Sequence, residues 1–229
     1  MNHPQSLRYN VDLVMVIDVT GSMGHVLKQV KSSALNFQDL MATRMASKGK
    51  HVAQLRVRVV AFRDMFADQE CFIESRFFEL PHEHNDFASF VDGLKAKGGG
   101  GDGPESGLEA LSLAMHSDWT KMGDRRRHVI VVWSDAQPHP LEKGQDSAPA
   151  TMRDRICKSL DSLTDTWESG QSCGMERSAR RLVMYTPESV GWGDISDSWS
   201  QVVHFTSQAG KGLREFEMDT ILDALANSI

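Results

Sequence analysis

Two short apolar runs that each end on an aspartate place the strongest constraint on how this chain can fold. Residues 11–17 are followed by Asp18, and residues 128–134 are followed by Asp135. Nearly continuous apolar runs of this length are typical of strands that are covered on both faces, as in a parallel sheet. The sequence therefore predicts two buried strands that each present a carboxylate at the carboxyl end.

The segments around these runs alternate between helix-like and strand-like patterns. Apolar residues recur in three- and four-residue steps between positions 23 and 45, which predicts a long amphipathic helix. Further helices are predicted over 86–95, 105–116, 148–167 and 218–229, and further strands over 55–62, 71–80, 182–185 and 202–205. The short connection before 71–80 suits a hairpin, so this strand is predicted to be antiparallel at an edge. The pattern predicts an α/β fold with a six-stranded, mostly parallel sheet and helices on both faces.

The length and polarity of the chain favour one domain over residues 1–229. With 229 residues, 40% of them hydrophobic, the chain can bury one sizeable core. Residues 1–9 are predicted to be a short N-terminal extension. The polar, glycine-containing segment 168–179 is predicted to be an exposed insertion.

Charge and hydropathy exclude several classes of function. The formal charge of -6 argues against a general attraction to nucleic acid or anionic lipid, and the run of three arginines at 125–127 is too short to alter this. No apolar stretch approaches the ~20 residues that span a bilayer, and the N-terminus does not resemble a signal peptide. The three cysteines lack zinc-type spacing. We therefore predict a cytoplasmic protein with reduced thiols, no membrane and no nucleic-acid partner.

The sequence DVTGS after the first apolar run forms an all-oxygen cluster on a tight turn. Asp18, Thr20 and Ser22 stand at alternate positions, so their side chains can point the same way. Such a cluster suits a hard cation, a phosphate or a helix cap, with Ser22 as a good N-cap residue. Two neutral hydroxyls would leave most of a cation's charge uncompensated, so an Asp or Glu of a partner protein could complete the coordination.

Two other segments can reach the same edge of the predicted sheet. Open α/β sheets bind ligands outside the carboxyl ends of the strands, where the strand order reverses. Asp135 ends the second apolar run, and Asp102 lies in the glycine-rich loop GGGGDGPE at 98–105. We therefore expect three distant segments to bring oxygen ligands to one place.

These motifs resemble the metal-ion-dependent adhesion site of von Willebrand factor type A domains. Asp18, Thr20 and Ser22 match the first motif of the family, Asp-x-Ser/Thr-x-Ser, and the later ligands fall on Asp102 and Asp135. The order and spacing match over nearly the whole chain. The resemblance implies a Rossmann-like fold, a bound Mg²⁺ (or Mn²⁺ or Ca²⁺) and a role as a protein-interaction module.

The middle loop departs from the adhesive members of this family, which place a threonine there. The GGGDGPE form resembles a branch of intracellular and bacterial type A domains and implies Asp102 as the ligand, with Glu105 as the alternative. The added carboxylate would lower the positive charge left for an acidic partner. The resemblance further implies a bacterial multi-protein assembly of the stress, defence or AAA-associated (chelatase-like) kind, with no catalysis.

Two other classes of function remain open from the sequence. DVTGS also resembles the aspartyl-phosphate loop of the haloacid dehalogenase superfamily, which would make Asp18 the nucleophile of a magnesium-dependent phosphatase or phosphotransferase. In that interpretation Ser134 and a lysine would hold the phosphoryl group, although no lysine stands at a predicted strand end, and Asp194 or Asp197 would help to hold magnesium. It leaves GGGGDGPE and Asp135 without clear roles. The last alternative is a metal-free scaffold in which the oxygen cluster is a cap.

Overall fold

The computed structural model describes residues 8–34, 37–101, 103–170 and 172–229. These residues form strands β1 (Arg8–Asp18), β2 (His51–Phe62), β3 (Phe72–Glu74), β4 (Phe78–Leu80), β5 (Arg125–Trp133), β6 (Arg180–Pro187) and β7 (Val202–Ser207). They also form helices α1 (Gly24–Ala34), α2 (Phe37–Ser47), α3 (His84–Gly93), α4 (Gly107–Met115), α5 (Leu160–Ser169), α6 (Trp192–Ser198) and α7 (Met218–Ser228).

All of these strands belong to one sheet in the order β3-β2-β1-β5-β6-β7, and β4 also pairs with β2. β1, β2, β5, β6 and β7 are parallel to their neighbours, whereas β3 and β4 run antiparallel to β2. β3 and β4 pair with separate stretches of β2, so together they occupy one edge position of a sheet that is six strands wide. The predicted fold class is therefore confirmed.

The strand order reverses at β1, because β2 lies on one side of β1 and β5 on the other. Ile17 of β1 is level with Trp133 of β5, so the residues that follow these two positions leave the sheet together. This is the place where parallel α/β sheets bind ligands. The register alone thus brings Asp18 and Asp135 to the same edge.

Each face of the sheet is covered by its own helical layer. Leu13, Met15 and Ile17 of β1 pack in one core cluster with α1, α2, α3 and α7. Val14 and Val16 point the other way, into a second cluster with α4, α5 and α6. The alternation of side chains along a strand explains this division, and burial on both faces explains why the run is continuously apolar.

Two of the predicted helices differ from the observed ones. The pattern from 23 to 45 forms a short 3₁₀ turn and then α1 and α2, while positions 35 and 36 lie outside the described residues. The helix predicted over 148–167 is wrong in its first half, because α5 begins only at Leu160. Ser159 accepts a hydrogen bond from the Ser162 backbone in a capping box, which sets this start. Just before it, the Arg155 carbonyl and the Cys157 N–H are bonded to Ser112 of α4.

The segment 168–179 is only partly exposed. Cys173 and Met175 within it are buried and pack in the second core cluster. None of the three cysteines forms a disulfide. Within the described ranges, no helix combines the length and apolar character needed to cross a membrane.

Candidate metal site

Asp18 lies at the end of β1, fully buried, and its two carboxylate oxygens accept hydrogen bonds from two different segments. Oδ1 accepts from the Thr20 N–H at 2.9 Å and from the Thr20 hydroxyl at 2.6 Å. Oδ2 accepts from the Ser134 hydroxyl at 2.8 Å. Ser134 therefore ties the end of β5 to the end of β1, with Asp18 as the acceptor.

The two hydroxyls of the DVTGS turn both donate their protons to carboxylates. Thr20 donates to Asp18, and Ser22 donates to Asp135 Oδ1 at 2.8 Å. Because their protons are used in this way, both hydroxyl oxygens keep lone pairs that can bind a ligand. These oxygens lie 3.5 Å apart, close to the spacing of about 3 Å between neighbouring ligands of an octahedral Mg²⁺.

The loop after β7 fixes Asp135 from the other side. The Gly212 N–H donates to Asp135 Oδ2 at 2.7 Å, and the Gly210 N–H donates to the Asp135 carbonyl oxygen at 2.8 Å. Sequence reasoning missed these two glycines and assigned Ser134 no role in a metal site. The glycine pair just beyond the carboxyl end of a predicted strand was the signal that could have indicated them.

The glycine-rich middle loop packs against the DVTGS turn. Gly99 has a φ of +100°, and a Cβ at this position would lie 2.6 Å from Glu105 Oε1 and 3.1 Å from the Thr20 Cβ. Its N–H donates to Asp68 Oδ2 at 2.9 Å. Glycine is therefore required here both by the backbone conformation and by the close approach of the two turns.

Asp102, predicted as the ligand from this loop, lies outside the described residues. Its alternative, Glu105, is buried and lines the same cleft as Thr20, Ser22 and Asp135. The Glu105 N–H donates to the Gln137 carbonyl at 3.0 Å, and the His139 N–H donates to the Glu105 carbonyl at 2.9 Å. The middle loop is thus fixed to the loop that follows β5.

A cleft of about 580 Å³ lies above these groups. Its walls come from the loops after β1, β5, β6 and β7 and from the middle loop, and they include Gly21, Gly98, Gly101, Gly103, Ala136, Gln137, Pro187, Glu188, Ser189, Ala209 and Gly210. Glu188 supplies a further carboxylate on this wall. No lysine lines the cleft within the described part of the chain.

The donor set fits a hard divalent cation better than a phosphate. Asp18 and Asp135 are both buried, and among the described residues neither has a lysine, arginine or histidine nitrogen within 4.0 Å. Burial raises the pKa of Asp18 to about 6, the hydrogen bonds from Thr20 and Ser134 oppose this, and the charge of Asp135 adds to it. Burying two carboxylates without a cationic partner is unfavourable for the free energy of the folded protein. A bound cation removes this penalty, whereas a bound phosphate increases it.

The acidic and sulfur-containing groups alone do not form a metal site in the described residues. No cluster of three or more His, Cys, Asp or Glu side chains there is arranged to hold an ion. The oxygens that converge are two carboxylates and two hydroxyls, which is the composition that DVTGS and Asp135 predict. Asp18, Thr20, Ser22 and Asp135 are brought together, as expected from the sequence.

Asp18 caps the DVTGS turn as the cap interpretation expects, but Ser22 does not act as a helix cap. Asp18 does accept a backbone N–H, from Thr20. Ser22 lies within a 3₁₀ turn, and its hydroxyl donates to Asp135 instead of capping a backbone group. Of the residues invoked for a phosphatase, Ser134 does donate to Asp18, whereas Asp194 and Asp197 are exposed on α6 and do not line the cleft.

Comparison with known proteins identifies the family. A family model described as the von Willebrand factor A domain matches residues 12–183. The chain therefore belongs to the von Willebrand factor A (vWA) domain family, whose members typically act as protein-interaction modules and often bind divalent cations.

The relatives are larger proteins. The chain is 29% identical over 134 residues to the alpha-protein kinase vwkA of Dictyostelium discoideum, a match that covers 58% of this chain and 19% of that protein. It is 30% identical over 138 residues to a putative ariadne-like RING finger protein of Acanthamoeba polyphaga mimivirus, covering 60% of this chain and 12% of that protein. The chain thus spans a minor part of the length of both curated relatives.

A solved structure supports the fold alone. The pilus adhesin SpaC of Lactobacillus rhamnosus GG superposes with a TM-score of 0.54 at 10% sequence identity. The match covers 95% of this chain and 30% of SpaC. The identity is too low for the similarity to extend to ligands or partners.

Proposed function

We propose that this vWA domain is a metal-ion-dependent protein-interaction module. Thr20 and Ser22 would hold a divalent cation directly, and Asp18 and Asp135 would hold it directly or through water. Asp102 or Glu105 would complete the protein's share of the ligands. Mg²⁺ is the expected ion, with Mn²⁺ and Ca²⁺ as alternatives.

The observation that carries this proposal is the direction of the two hydroxyl protons. Thr20 and Ser22 donate to Asp18 and Asp135, so the hydroxyl oxygens turn their lone pairs away from the carboxylates. A helix cap would use such oxygens as acceptors of backbone N–H groups, and a phosphate site would use the hydroxyls as donors to the ligand. A cation, unlike a phosphate, can be bound by both hydroxyl oxygens while their protons stay on the two carboxylates.

The partner is expected to contribute an acidic side chain. When bound, the cation supplies a Lewis-acidic position that a carboxylate can fill. Ser22 is exposed beside the buried Asp135, so the site can be reached from the cleft. Glu188 on the cleft wall would repel an acidic partner unless the cation is present, which makes partner binding depend on the ion.

The wider setting rests on the resemblance alone. A cytoplasmic bacterial assembly of the stress, defence or AAA-associated kind, and the absence of catalysis, stay predictions. The domain would act there by binding a partner and not by transforming a substrate.

Thermal unfolding with and without cations tests the proposal. A ligand that binds only the folded state at 100 times its Kd adds about 2.7 kcal/mol, which corresponds to about 5 to 10 °C in Tm for a chain of this length. We expect MgCl₂ or MnCl₂ to raise the Tm of the wild type by this order. Asp18→Asn should abolish the rise.

Asp92→Asn is the matched control, because it removes the same charge from a side chain that is 85% exposed and does not line the cleft. It should retain the full rise. An equal rise in Asp18→Asn would contradict the proposed ligands. Magnesium-dependent release of phosphate from p-nitrophenyl phosphate that disappears in Asp18→Asn would support the phosphatase alternative instead.

A further inference from the structure

A second cleft lies at the opposite end of the sheet, where the parallel strands begin. Its volume is about 570 Å³, and three cations line it: Lys50 just before β2, Arg127 in β5 and Arg181 in β6. Its apolar lining is made of Tyr9, Leu182, Val202, Val203, Phe205, Ala224 and Ile229. We call this the basic cleft.

Within the described part of the chain, the three cations have no acidic partners. None of them lies within 4.0 Å of an Asp or Glu oxygen among the described residues, although the neighbouring Arg126 is paired with Glu176. Burial lowers the pKa of Lys50 and of Arg181, and the charge of Arg127 lowers both further. Their positive charges therefore repel one another inside the cleft.

The end of α7 compensates only part of this charge. Lys50 Nζ donates to the Ala226 carbonyl at 3.3 Å, and Arg127 Nε donates to the main-chain oxygen of Ile229 at 2.7 Å. A helix C-terminus carries roughly half a negative charge. Even a full negative charge at Ile229 would leave the sum of three cations clearly positive.

The basic cleft adjoins an open sheet edge. β7 is the last strand of the sheet, and no strand of the described residues pairs with its outer side. Its sequence VVHFTS contains no proline, lysine or glutamate, which are residues that commonly protect such edges. Val203, which lines the cleft, is 45% exposed.

We propose that an acidic, extended segment of a partner protein binds here, pairing with the outer edge of β7 and placing its carboxylates against Lys50, Arg127 and Arg181. The unpaired main-chain groups of an edge strand supply affinity for an extended chain. The three cations supply selectivity for acidic side chains. The apolar walls of the cleft and the open main-chain edge of β7 favour an extended polypeptide over a nucleic acid.

A designed peptide tests both parts of the proposal. The fluorescently labelled probe has the sequence EDVTVTDE. It has acidic residues at both ends, so carboxylates reach the cations whether the peptide pairs parallel or antiparallel to β7. We expect saturable binding by fluorescence polarisation, weakening as salt rises from about 50 to about 300 mM. The neutral peptide QNVTVTNQ tests the charges, and EDVPVPDE, with equal charge but fewer N–H donors, tests the pairing. Each should bind at least tenfold more weakly.

Protein variants assign the binding to the cleft. The double variant Arg127→Gln/Arg181→Gln should bind the probe at least tenfold more weakly. Lys28→Gln/Arg214→Gln, which removes the same charge from exposed positions, should bind like the wild type. Val203→Glu should weaken binding and Val203→Gln should not, at a position in β7 that is 45% exposed. Circular dichroism checks that each variant is folded.

Several results would overturn the proposal. The first is that the probe shows no saturable binding at about 1 mM wild-type protein. The second is that the proline peptide binds as tightly as the probe. The third is that the double variant is folded and binds the probe with the affinity of the wild type. Binding should persist in EDTA and in Asp18→Asn, which separates this surface from the metal site. Loss of binding in EDTA would place the probe at the metal site and would refute the assignment.

Discussion

Replacing Glu109 by glutamine should stabilise the protein, and by more as the pH rises. Glu109 lies in α4 with none of its surface exposed. Neither of its carboxyl oxygens has a hydrogen-bond partner among the described residues. Burial raises the pKa of Glu109 from 4.5 to about 8; the charge of Asp64 adds to this, and Lys143 opposes it.

The sign and size of the effect follow from this difference in pKa. Below pH 4.5 the carboxyl is protonated in both states and makes no pH-dependent contribution to the free energy of unfolding. Between about pH 4.5 and 8 the unfolded chain loses the proton and the folded chain keeps it, so the free energy of unfolding falls by about 1.4 kcal/mol per pH unit. The accumulated loss is about 3 kcal/mol at pH 7 and levels off near 5 kcal/mol above pH 8.

Urea denaturation at pH 5, 6, 7 and 8 measures this directly. We expect the difference in free energy of unfolding between Glu109→Gln and the wild type to grow by about 1 kcal/mol or more per pH unit across this range. Other titrating groups occur in both proteins and cancel in the difference. Glu217→Gln is the control for the loss of one carboxylate, because Glu217 is exposed.

A pH-independent difference for Glu109→Gln would refute the reasoning. It would mean that Glu109 is ionised in the folded protein and that a cation compensates it. A variant less stable than the wild type at pH 8 would lead to the same conclusion.

Three further substitutions test other parts of the structure. Tyr185→Phe should leave the free energy of unfolding unchanged or raise it by up to about 1 kcal/mol in urea denaturation, because the buried hydroxyl has no partner among the described residues. Gly99→Ala should abolish the cation-induced rise in Tm, whereas Gly49→Ala, also at positive φ but away from the cleft lining and with no atom within 4 Å of the added Cβ, should retain it. Glu74→Gln should lower the free energy of unfolding by about 3 kcal/mol, because it leaves Arg58 and Arg155 without their shared carboxylate.

The sheet and half of the candidate site could be predicted because they depend on local patterns. A strand buried on both faces must be apolar throughout, and the polar residue that ends it marks the edge of the sheet. Two such strands, β1 and β5, are neighbours, so Asp18 and Asp135 had to approach each other once the sheet was parallel. The alternation of Asp18, Thr20 and Ser22 along the turn predicted that the two hydroxyls lie on the same side as the Asp18 carboxylate.

Other features depend on contacts between distant positions, which a single sequence does not reveal. Asp135 is held by Gly212, 77 positions away. The first half of the helix predicted over 148–167 is replaced by an irregular segment whose backbone bonds to Ser112 in α4. The basic cleft combines residues of β5 and β6 with Lys50, just before β2. Because these positions are far apart in the chain, the sequence shows Arg127 only as one of a run of three arginines.

The polarity of a parallel sheet separates the two proposed binding sites and predicts that they act independently. Carboxylates gather at the carboxyl ends of the strands and cations at the amino ends, and β5 between them has nine residues. At about 3.3 Å per residue the ends lie about 26 Å apart. A pair of unit charges at that distance interacts by about 0.2 to 0.6 kcal/mol before screening. The distance is about three Debye lengths at physiological salt, and this screening keeps even the sum over both charges of Mg²⁺ and all four carboxylates of the peptide below about 0.5 kcal/mol. Saturating Mg²⁺ should therefore change the Kd of the acidic peptide by less than about threefold. A larger change, measured by titrating the labelled peptide with and without the ion, would require a conformational change that links the two ends of the sheet.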